Sequence, residues 1–388
     1  MNLEPGISVP RTAIAPGPML RPLASRRPRA RIALALLLCA VLAAPAAAAT
    51  APTVVKLASL VPDGSVWHKV LQGAGAEWSA ATGGRVTLRI YPGGVAGDEP
   101  DMVRKMRIGQ IQASALTVMG LSSIDDAFLV FAIPMMFDSY GELFYVLERM
   151  RPTLSQRLEA KGFVLLNWGH AGWVHFFTKR PVVDREEMRK LKMFVWAGDD
   201  RMVQLWKDNG FQPVALAATD ILTGLQTGMI EAYPTTPLAA LSLQWYRATP
   251  YMIDGGLAPL VGGLVISKTA WAKIPEADRV GILAACGKAE ERLGREIPGQ
   301  DSMAVAEMQK RGLTVTRVKP EAKAEWEATA KQFSDQMRGK LTFWTEIGVR
   351  SACARKPGRS RSDLNPMCTV NGEMARSTLA SSGLGLRK

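Results

Sequence analysis

The chain has 388 residues, of which 47% are hydrophobic, and its formal net charge is +13. This length allows two domains with real hydrophobic cores, so folding does not depend on a disulfide framework. The charge lies at the ends, because residues 1–50 supply +5 and residues 350–388 supply +6, which leaves +2 for residues 51–349. A nearly neutral body removes the main argument for a nucleic-acid partner.

The first 49 residues have the pattern of a secretory signal peptide. Residues 26–31 read RRPRAR, and an apolar stretch over residues 32–49 follows and ends in small residues. Such a basic segment, apolar segment and alanine-rich cleavage site predict export and removal of residues 1–49. A transmembrane anchor is the alternative, but 18 residues that include Pro45 make a poor span. We therefore expect a periplasmic protein that does not span the membrane after cleavage.

Two of the four cysteines lie in the C-terminal segment. Cys39 belongs to the signal peptide, Cys286 is alone in the body, and a bridge between Cys353 and Cys368 stays open. Residues 350–388 are rich in Arg, Ser, Gly and Pro without periodicity, which predicts a disordered basic tail. Its charge can serve solubility or contact acidic lipid headgroups.

Strand-like and helix-like segments alternate from residue 54 onward. The predicted strands are residues 54–60, 86–91, 113–118, 164–168, 174–178 and 193–196, with a weaker one at 265–266. Ser65, the pair Ser139 and Glu142, and Asp199 are predicted helix caps. Long helical stretches follow over residues 275–312, with a kink or break expected at Pro298, and over residues 320–340. This alternation predicts an α/β fold with parallel strands.

Signatures of catalysis and metal binding are absent from the sequence. There is no G-x-S-x-G, no P-loop, no G-x-G-x-x-G after a strand and no C-x-x-C. The three histidines are His68, His170 and His175, and the odd spacing of the last two places them on opposite faces of a strand. We therefore expect a protein that is not an enzyme, with no cofactor and no metal site.

Five stretches in order carry a resemblance to a known family. They read LASLVPDGSVWHK, TGGRVTLRIYPGGVAGDEPDMVRKMRIGQI, FAIPMMFDSY, EEMRKLKMFVW and TDILTGLQTGMIEAYPTTPLAAL. Together they resemble the substrate-binding protein of TRAP transporters, the tripartite ATP-independent periplasmic systems, of the DctP type. The resemblance covers roughly residues 54–340, essentially the whole body.

The resemblance implies a two-lobe periplasmic binding protein fold with a ligand cleft between the lobes and a long late helix. Lobe I is expected from residues 50–171 plus about 261–300, and lobe II from residues 172–260 plus about 301–345. It also implies that the loaded protein delivers a small molecule to integral-membrane TRAP subunits.

Three family positions that contact ligand differ in this chain. The arginine that binds the substrate carboxylate in most members is replaced by Phe194, a second arginine by Val174, and an asparagine by Thr236. The residues expected to bind ligand are Trp67, Met119, Trp173, Val174, Phe194, Trp196, Thr235 and Thr236.

These departures lead to an expectation about the ligand. An apolar pocket would leave a carboxylate desolvated and unpaired, so we expect an apolar or uncharged molecule, with hydroxyls of Thr235 and Thr236 at a small polar end. One alternative is an organic acid, such as a C4-dicarboxylate, held by another cation; the candidates are Arg180, Lys179, Arg201 and His170. In that case Phe194 and Trp196 are core residues. A periplasmic sensor without a transporter is the remaining alternative.

Overall fold

Two β-sheets organise the computed structural model, which describes residues 52–318 and 320–337. The first sheet contains β1 (Thr53–Ser59), β2 (Val86–Tyr91), β3 (Ala113–Thr117), β4 (Phe163–Trp173) and β10 (Pro259–Ser267). Its strand order is β2-β1-β3-β10-β4. The predicted signal peptide, Cys39, Cys353, Cys368 and the predicted tail lie outside the described residues.

The second sheet has six strands, in the order β11-β9-β5-β8-β6-β7. These strands are β5 (His175–Thr178), β6 (Lys192–Trp196), β7 (Gln212–Leu216), β8 (Ala232–Thr235), β9 (Tyr251–Ile253) and β11 (Thr314–Thr316). We call the first sheet with its helices lobe I and the second lobe II. The predicted residue boundaries of the two lobes stay a prediction.

Both sheets mix parallel and antiparallel pairs. As the alternating pattern predicts, β1 is parallel to β2 and β3, and β6 is parallel to β7 and β8. The antiparallel strands are β10, which separates β3 from β4, and β5, which pairs with β8 and β9. The weak strand signal at residues 265–266 belongs to β10, which has nine residues.

Helices cover both sheets, and their starts agree with the predicted caps. They are α1 (Val66–Ala81), α2 (Glu99–Arg107), α3 (Val118–Ser122), α4 (Tyr140–Ala160), α5 (Arg185–Arg189), α6 (Asp200–Asp208), α7 (Ile221–Thr227), α8 (Pro237–Ser242), α9 (Lys268–Ala272), α10 (Glu276–Lys310) and α11 (Pro320–Met337). The side chains of Ser65, Ser139 and Asp199 accept hydrogen bonds from backbone N–H groups in the first turns of α1, α4 and α6. Within the described ranges, no helix combines the length and apolar character needed to cross a membrane.

The long helix α10 connects the two lobes. It has 35 residues and contacts β4 and α1 of lobe I as well as α8 of lobe II. A proline inside a helix removes a hydrogen bond and costs about 3 kcal/mol, so the sequence predicts a kink or break at Pro298. The helix instead continues through Pro298, because Ile297 and Ala304 on either side of it are buried against both lobes.

Candidate functional site

A cavity of about 420 Å³ lies between the lobes, at the ends of their parallel strands. Ser59, Thr117, Trp196 and Thr235 are the last residues of β1, β3, β6 and β8, and all four line it. In α/β sheets, ligands bind in the crevice outside the carboxyl ends of parallel strands. The chain path therefore brings residues far apart in sequence to one interlobe site.

Three of the eight residues predicted to bind ligand lie on the wall of this cavity. They are Trp67 from the first turn of α1, Trp196 from the end of β6 and Thr235 from the end of β8. Two of these residues belong to lobe II and one to lobe I. Their role in ligand binding stays a prediction.

The structure contradicts the predicted position of Phe194 on the cleft. Phe194 is 1% exposed and belongs to the core cluster of lobe II, with Phe177 and Tyr233. Its ring lies 5.1 Å from the ring of Trp196, centroid to centroid. Alternation along β6 places both side chains on one face, but Phe194 lies deeper and supports Trp196 instead of lining the cavity.

Thr236 is also absent from the cavity wall, for a different reason. It is fully buried, and its Oγ1 accepts a hydrogen bond of 3.3 Å from the backbone N–H of Ala239 as the cap of α8. The cap uses the hydroxyl as an acceptor and keeps it at the helix terminus. The expectation that Thr236 offers its hydroxyl to the ligand stays a prediction.

The remaining three candidates lie away from the interlobe cavity. Met119 packs against the core cluster of lobe I, and the backbone of Val174 exchanges hydrogen bonds with Leu257 and Ala258. Trp173 packs edge-on against Tyr140 and lines a different depression of about 930 Å³ that borders α11. That depression is larger, but the interlobe cavity is the better candidate because strand ends from both sheets meet there.

Glu99 is a residue of the cavity wall that the sequence did not single out. It is 1% exposed, and its carboxylate accepts hydrogen bonds of 2.7 Å each from the N–H and Oγ1 of Thr117 and from the N–H of Gly120. Burial raises the pKa of Glu99 to about 7 against the opposing effect of these donors. Its place near the end of the glycine-rich stretch GGVAGDEP, as the first residue of α2, was the available signal.

Cations are missing from the described residues that line the cavity, which include neither Lys nor Arg. His170 lines it, but burial lowers the pKa of His170 to about 4, so its imidazole is neutral near pH 7. The other three candidates have partners elsewhere: Lys179 donates to the Leu225 carbonyl, Arg180 to the Lys190 carbonyl, and Arg201 lies 3.6 Å from Asp126. A group of three or more potential metal ligands is also absent from the described part of the chain.

The family model named DctP, bacterial extracellular solute-binding protein family 7, matches residues 57–340. The chain belongs to this family. A solute-binding protein of Roseobacter denitrificans is 23% identical over 264 residues, covering 66% of this chain and 79% of the relative. A solute-binding protein of Albidiferax ferrireducens is 23% identical over 302 residues, covering 76% of this chain and 86% of the relative.

Solved structures show the same two-lobe fold. DctP7 of Bordetella pertussis, described as binding pyroglutamic acid, has a TM-score of 0.72 and 20% identity over 78% of this chain and all of that one. A TRAP periplasmic solute-binding protein of Haemophilus influenzae with bound L-gulonate has a TM-score of 0.72 and 21% identity, and the match covers 78% of this chain and 99% of that one. This chain is accordingly a member of a family of solute-binding proteins, not of enzymes.

Proposed function

We propose that this DctP-family protein captures a largely apolar, uncharged small molecule in the interlobe cavity and delivers it to TRAP membrane subunits. The observation that carries the ligand class is the absence of Lys and Arg from the described residues of the cavity wall. An ionised carboxylate taken out of water needs a charged or multiply hydrogen-bonded partner, and its transfer is strongly unfavourable without one.

The electrostatics of the wall point the same way. Glu99 is the acidic residue on it, and a second carboxylate nearby would raise the energy of both groups. The indole of Trp196 and side chains such as Leu60, Val70 and Leu293 supply apolar surface. Burying one large apolar group of a ligand against such a wall contributes about 1.5 to 3 kcal/mol, which matches a charge-assisted hydrogen bond in magnitude.

The reason for this proposal differs from the one that the sequence suggested. Phe194 replaces the family arginine, yet its ring is in the core and does not contact the cavity. The substitution matters because it removes a cation from the site and fills the space beneath Trp196 with a hydrocarbon ring. The structures of relatives with bound acids describe those proteins, and at about 20% identity they support the fold and the receptor role here.

Binding measurements on the purified full chain test the ligand class. Calorimetry and thermal-shift assays would compare C4-dicarboxylates and sugar acids with neutral alcohols, amides and ketones of similar size. We expect saturable binding and an increase in melting temperature from neutral compounds. Tighter binding of a dicarboxylate or a sugar acid than of every neutral compound would overturn the proposal.

Transport is tested separately from binding. A bound compound from the neutral set would be offered to vesicles that contain TRAP membrane subunits and an ion gradient. Uptake that requires both this protein and the gradient supports delivery. Binding without uptake in vesicles that transport with their own receptor would favour a sensor.

A further inference from the structure

Besides the ring nitrogens of His170, three buried polar atoms on the wall of the interlobe cavity have no hydrogen-bond partner among the described residues. They are Nε1 of Trp67, Nε1 of Trp196 and Oδ1 of Asn167. Most buried polar groups in proteins are hydrogen-bonded, and an unpaired one destabilises the fold because it has lost its water without gaining a partner. Three such atoms around one cavity therefore require an explanation.

The three atoms come from different elements and are held in place. Trp67 is in the first turn of α1, Asn167 is in β4, and Trp196 ends β6. The amide nitrogen of Asn167 donates to the Trp168 carbonyl at 2.8 Å, which leaves the amide oxygen as the unpaired end. The ring of Trp196 packs edge-on against Phe194. The set thus spans both lobes.

The chemistry of the set is neutral and directional. An indole nitrogen can only donate a hydrogen bond, and an amide oxygen can only accept one. Two donors and one acceptor, none of them charged, complement a ligand group that accepts and also donates, such as an amide or a hydroxyl beside a carbonyl. A carboxylate could satisfy the indoles but not the Asn167 oxygen, since it has no proton to donate.

The indoles of two other tryptophans and the ring of His170 are not part of this group. The indoles of Trp78 and Trp168 are in the hydrophobic cores of lobe I. His170 lines the cavity as well, but its ring packs 5.3 and 5.2 Å from the rings of Tyr140 and Phe144, and the backbone of Leu293 lies within hydrogen-bonding reach of it. Asn167 and His170 are an odd number of residues apart in a regular stretch of β4, so their side chains leave opposite faces of the strand.

We propose that the indole N–H groups of Trp67 and Trp196 and the amide oxygen of Asn167 form the hydrogen-bonding set of the ligand, selecting an uncharged molecule with a polar group that both accepts and donates. This rests on the proposed function, because it concerns the same cavity and the same neutral ligand class. Closure of the lobes on such a molecule would pair donors and acceptors from both lobes.

The test uses three probes of similar shape: phenylacetamide, phenylacetate and ethylbenzene, which lacks the polar end. Calorimetry would be run on the full chain and on the variants Trp67→Phe, Trp196→Phe and Asn167→Leu. The two Trp variants keep an aromatic ring and lose the indole N–H, whereas Asn167→Leu keeps a side chain of similar size and loses both amide atoms, including the donor to the Trp168 carbonyl. Trp271→Phe is the matched control, because Trp271 packs against the lobe I core away from the cavity.

We expect the wild type to bind phenylacetamide more tightly than ethylbenzene and far more tightly than phenylacetate. Each cavity variant should weaken the amide about 3- to 10-fold, as one hydrogen bond of ordinary strength predicts, and leave ethylbenzene unchanged. The control should bind all three probes like the wild type. In ¹⁵N-labelled protein, phenylacetamide should shift the indole N–H resonances of Trp67 and Trp196 but not that of Trp271.

The outcomes separate the two proposals. Tightest binding of phenylacetate overturns the proposed ligand class, and the hydrogen-bonding set with it. Preference for the neutral probes with unchanged amide affinity in all three variants overturns the set alone. If neither phenylacetamide nor any neutral alcohol or ketone of similar size shifts the two indole resonances, the set is also overturned.

Discussion

The carboxylate of Asp301 accepts a hydrogen bond of 2.8 Å from the backbone N–H of Trp173, where the chain leaves the first sheet for the second. Its other oxygen accepts a hydrogen bond of 3.1 Å from the N–H of Leu238, in the first turn of α8. Asp301 belongs to α10, just after Pro298, and it is 8% exposed. One carboxylate therefore fastens the long helix to the crossover strand and to a lobe II helix.

Replacement of this carboxylate should destabilise the protein. In Asp301→Ala, one buried and one partly buried backbone N–H group lose their acceptor, and we expect the free energy of unfolding to fall by about 2 to 4 kcal/mol. Urea denaturation measures this free energy of unfolding. Glu296→Ala is the control, since Glu296 pairs with Arg292 on an exposed part of the same helix and should change stability by less than about 0.5 kcal/mol. Equal effects of the two variants would contradict a fastening role for Asp301.

The bend before Trp173 depends on Gly172. Its φ is +112°, and a Cβ at this position would collide with the carboxylate of Asp301. Gly64 provides a matched control, because its φ is +71° and nothing lies within 4 Å of its Cβ position. Gly64→Ala should cost about 1 to 2 kcal/mol through backbone strain alone, and Gly172→Ala clearly more. Similar urea midpoints for both variants would show that the collision is relieved without loss.

The pH dependence of stability should reveal Glu99. Its pKa is raised to about 7 in the folded protein, so between about pH 4.5 and 7 the folded state binds more protons at this site than the unfolded chain. Its contribution to the free energy of unfolding therefore falls as pH rises through that range. Glu99→Gln removes this slope, and the variant should become relatively more stable than the wild type from pH 4.5 to 7 in urea titrations.

Glu307→Gln is the control for the pH experiment. Glu307 pairs with Arg311 on the surface of α10, and that pairing lowers its pKa, so the variant should follow the wild-type curve above about pH 5. Asp301 also makes the free energy of unfolding fall as pH rises, since burial raises its pKa to about 6. A difference between Glu99→Gln and wild type that does not change with pH would contradict the raised pKa.

Phe194 should behave as a core residue in mutagenesis. Phe194→Ala is expected to lower the free energy of unfolding by about 3 to 5 kcal/mol, because the site is enclosed by lobe II side chains. Val95→Ala, at a position that is 73% exposed, should have little effect. Phe194→Leu should retain the ligand preference of the wild type. A change to carboxylate binding in that variant would indicate that Phe194 contacts the ligand.

A cation at the mouth of the cavity should redirect its selectivity. Leu222 lines the cavity and is 40% exposed, so lysine can be introduced there with little strain. Leu222→Lys should raise succinate affinity about 10-fold or more through a charge-assisted hydrogen bond, whereas Leu222→Met, of similar length, should not. Equal succinate affinity in both variants would show that the absent cation does not limit acid binding.

Several features could be predicted from the sequence because they depend on neighbouring residues. The caps Ser65, Ser139 and Asp199 act within one helical turn, and the alternation of strands and helices gave the α/β class. The ordered family stretches gave the two-lobe receptor fold. Of the kink or break predicted at Pro298, the break is contradicted, because packing of α10 against both lobes offsets the local effect of the proline.

The sequence by itself determined the family, since the family stretches are written in the order and identity of residues, and it predicted Phe194 at the position of a family arginine. Only the tertiary structure decided which side chains reach the ligand cavity. Alternation along β6 predicts that Phe194 and Trp196 share a face of the sheet, but it does not predict how deeply each is buried. In the structure Phe194 lies in the core and Trp196 lies on the cavity wall. The helix cap that uses the Thr236 hydroxyl is local, whereas the approach of Glu99 to Thr117 and Gly120 joins segments that are distant in sequence. Such long-range approaches are set by how the whole chain packs, which no local pattern records.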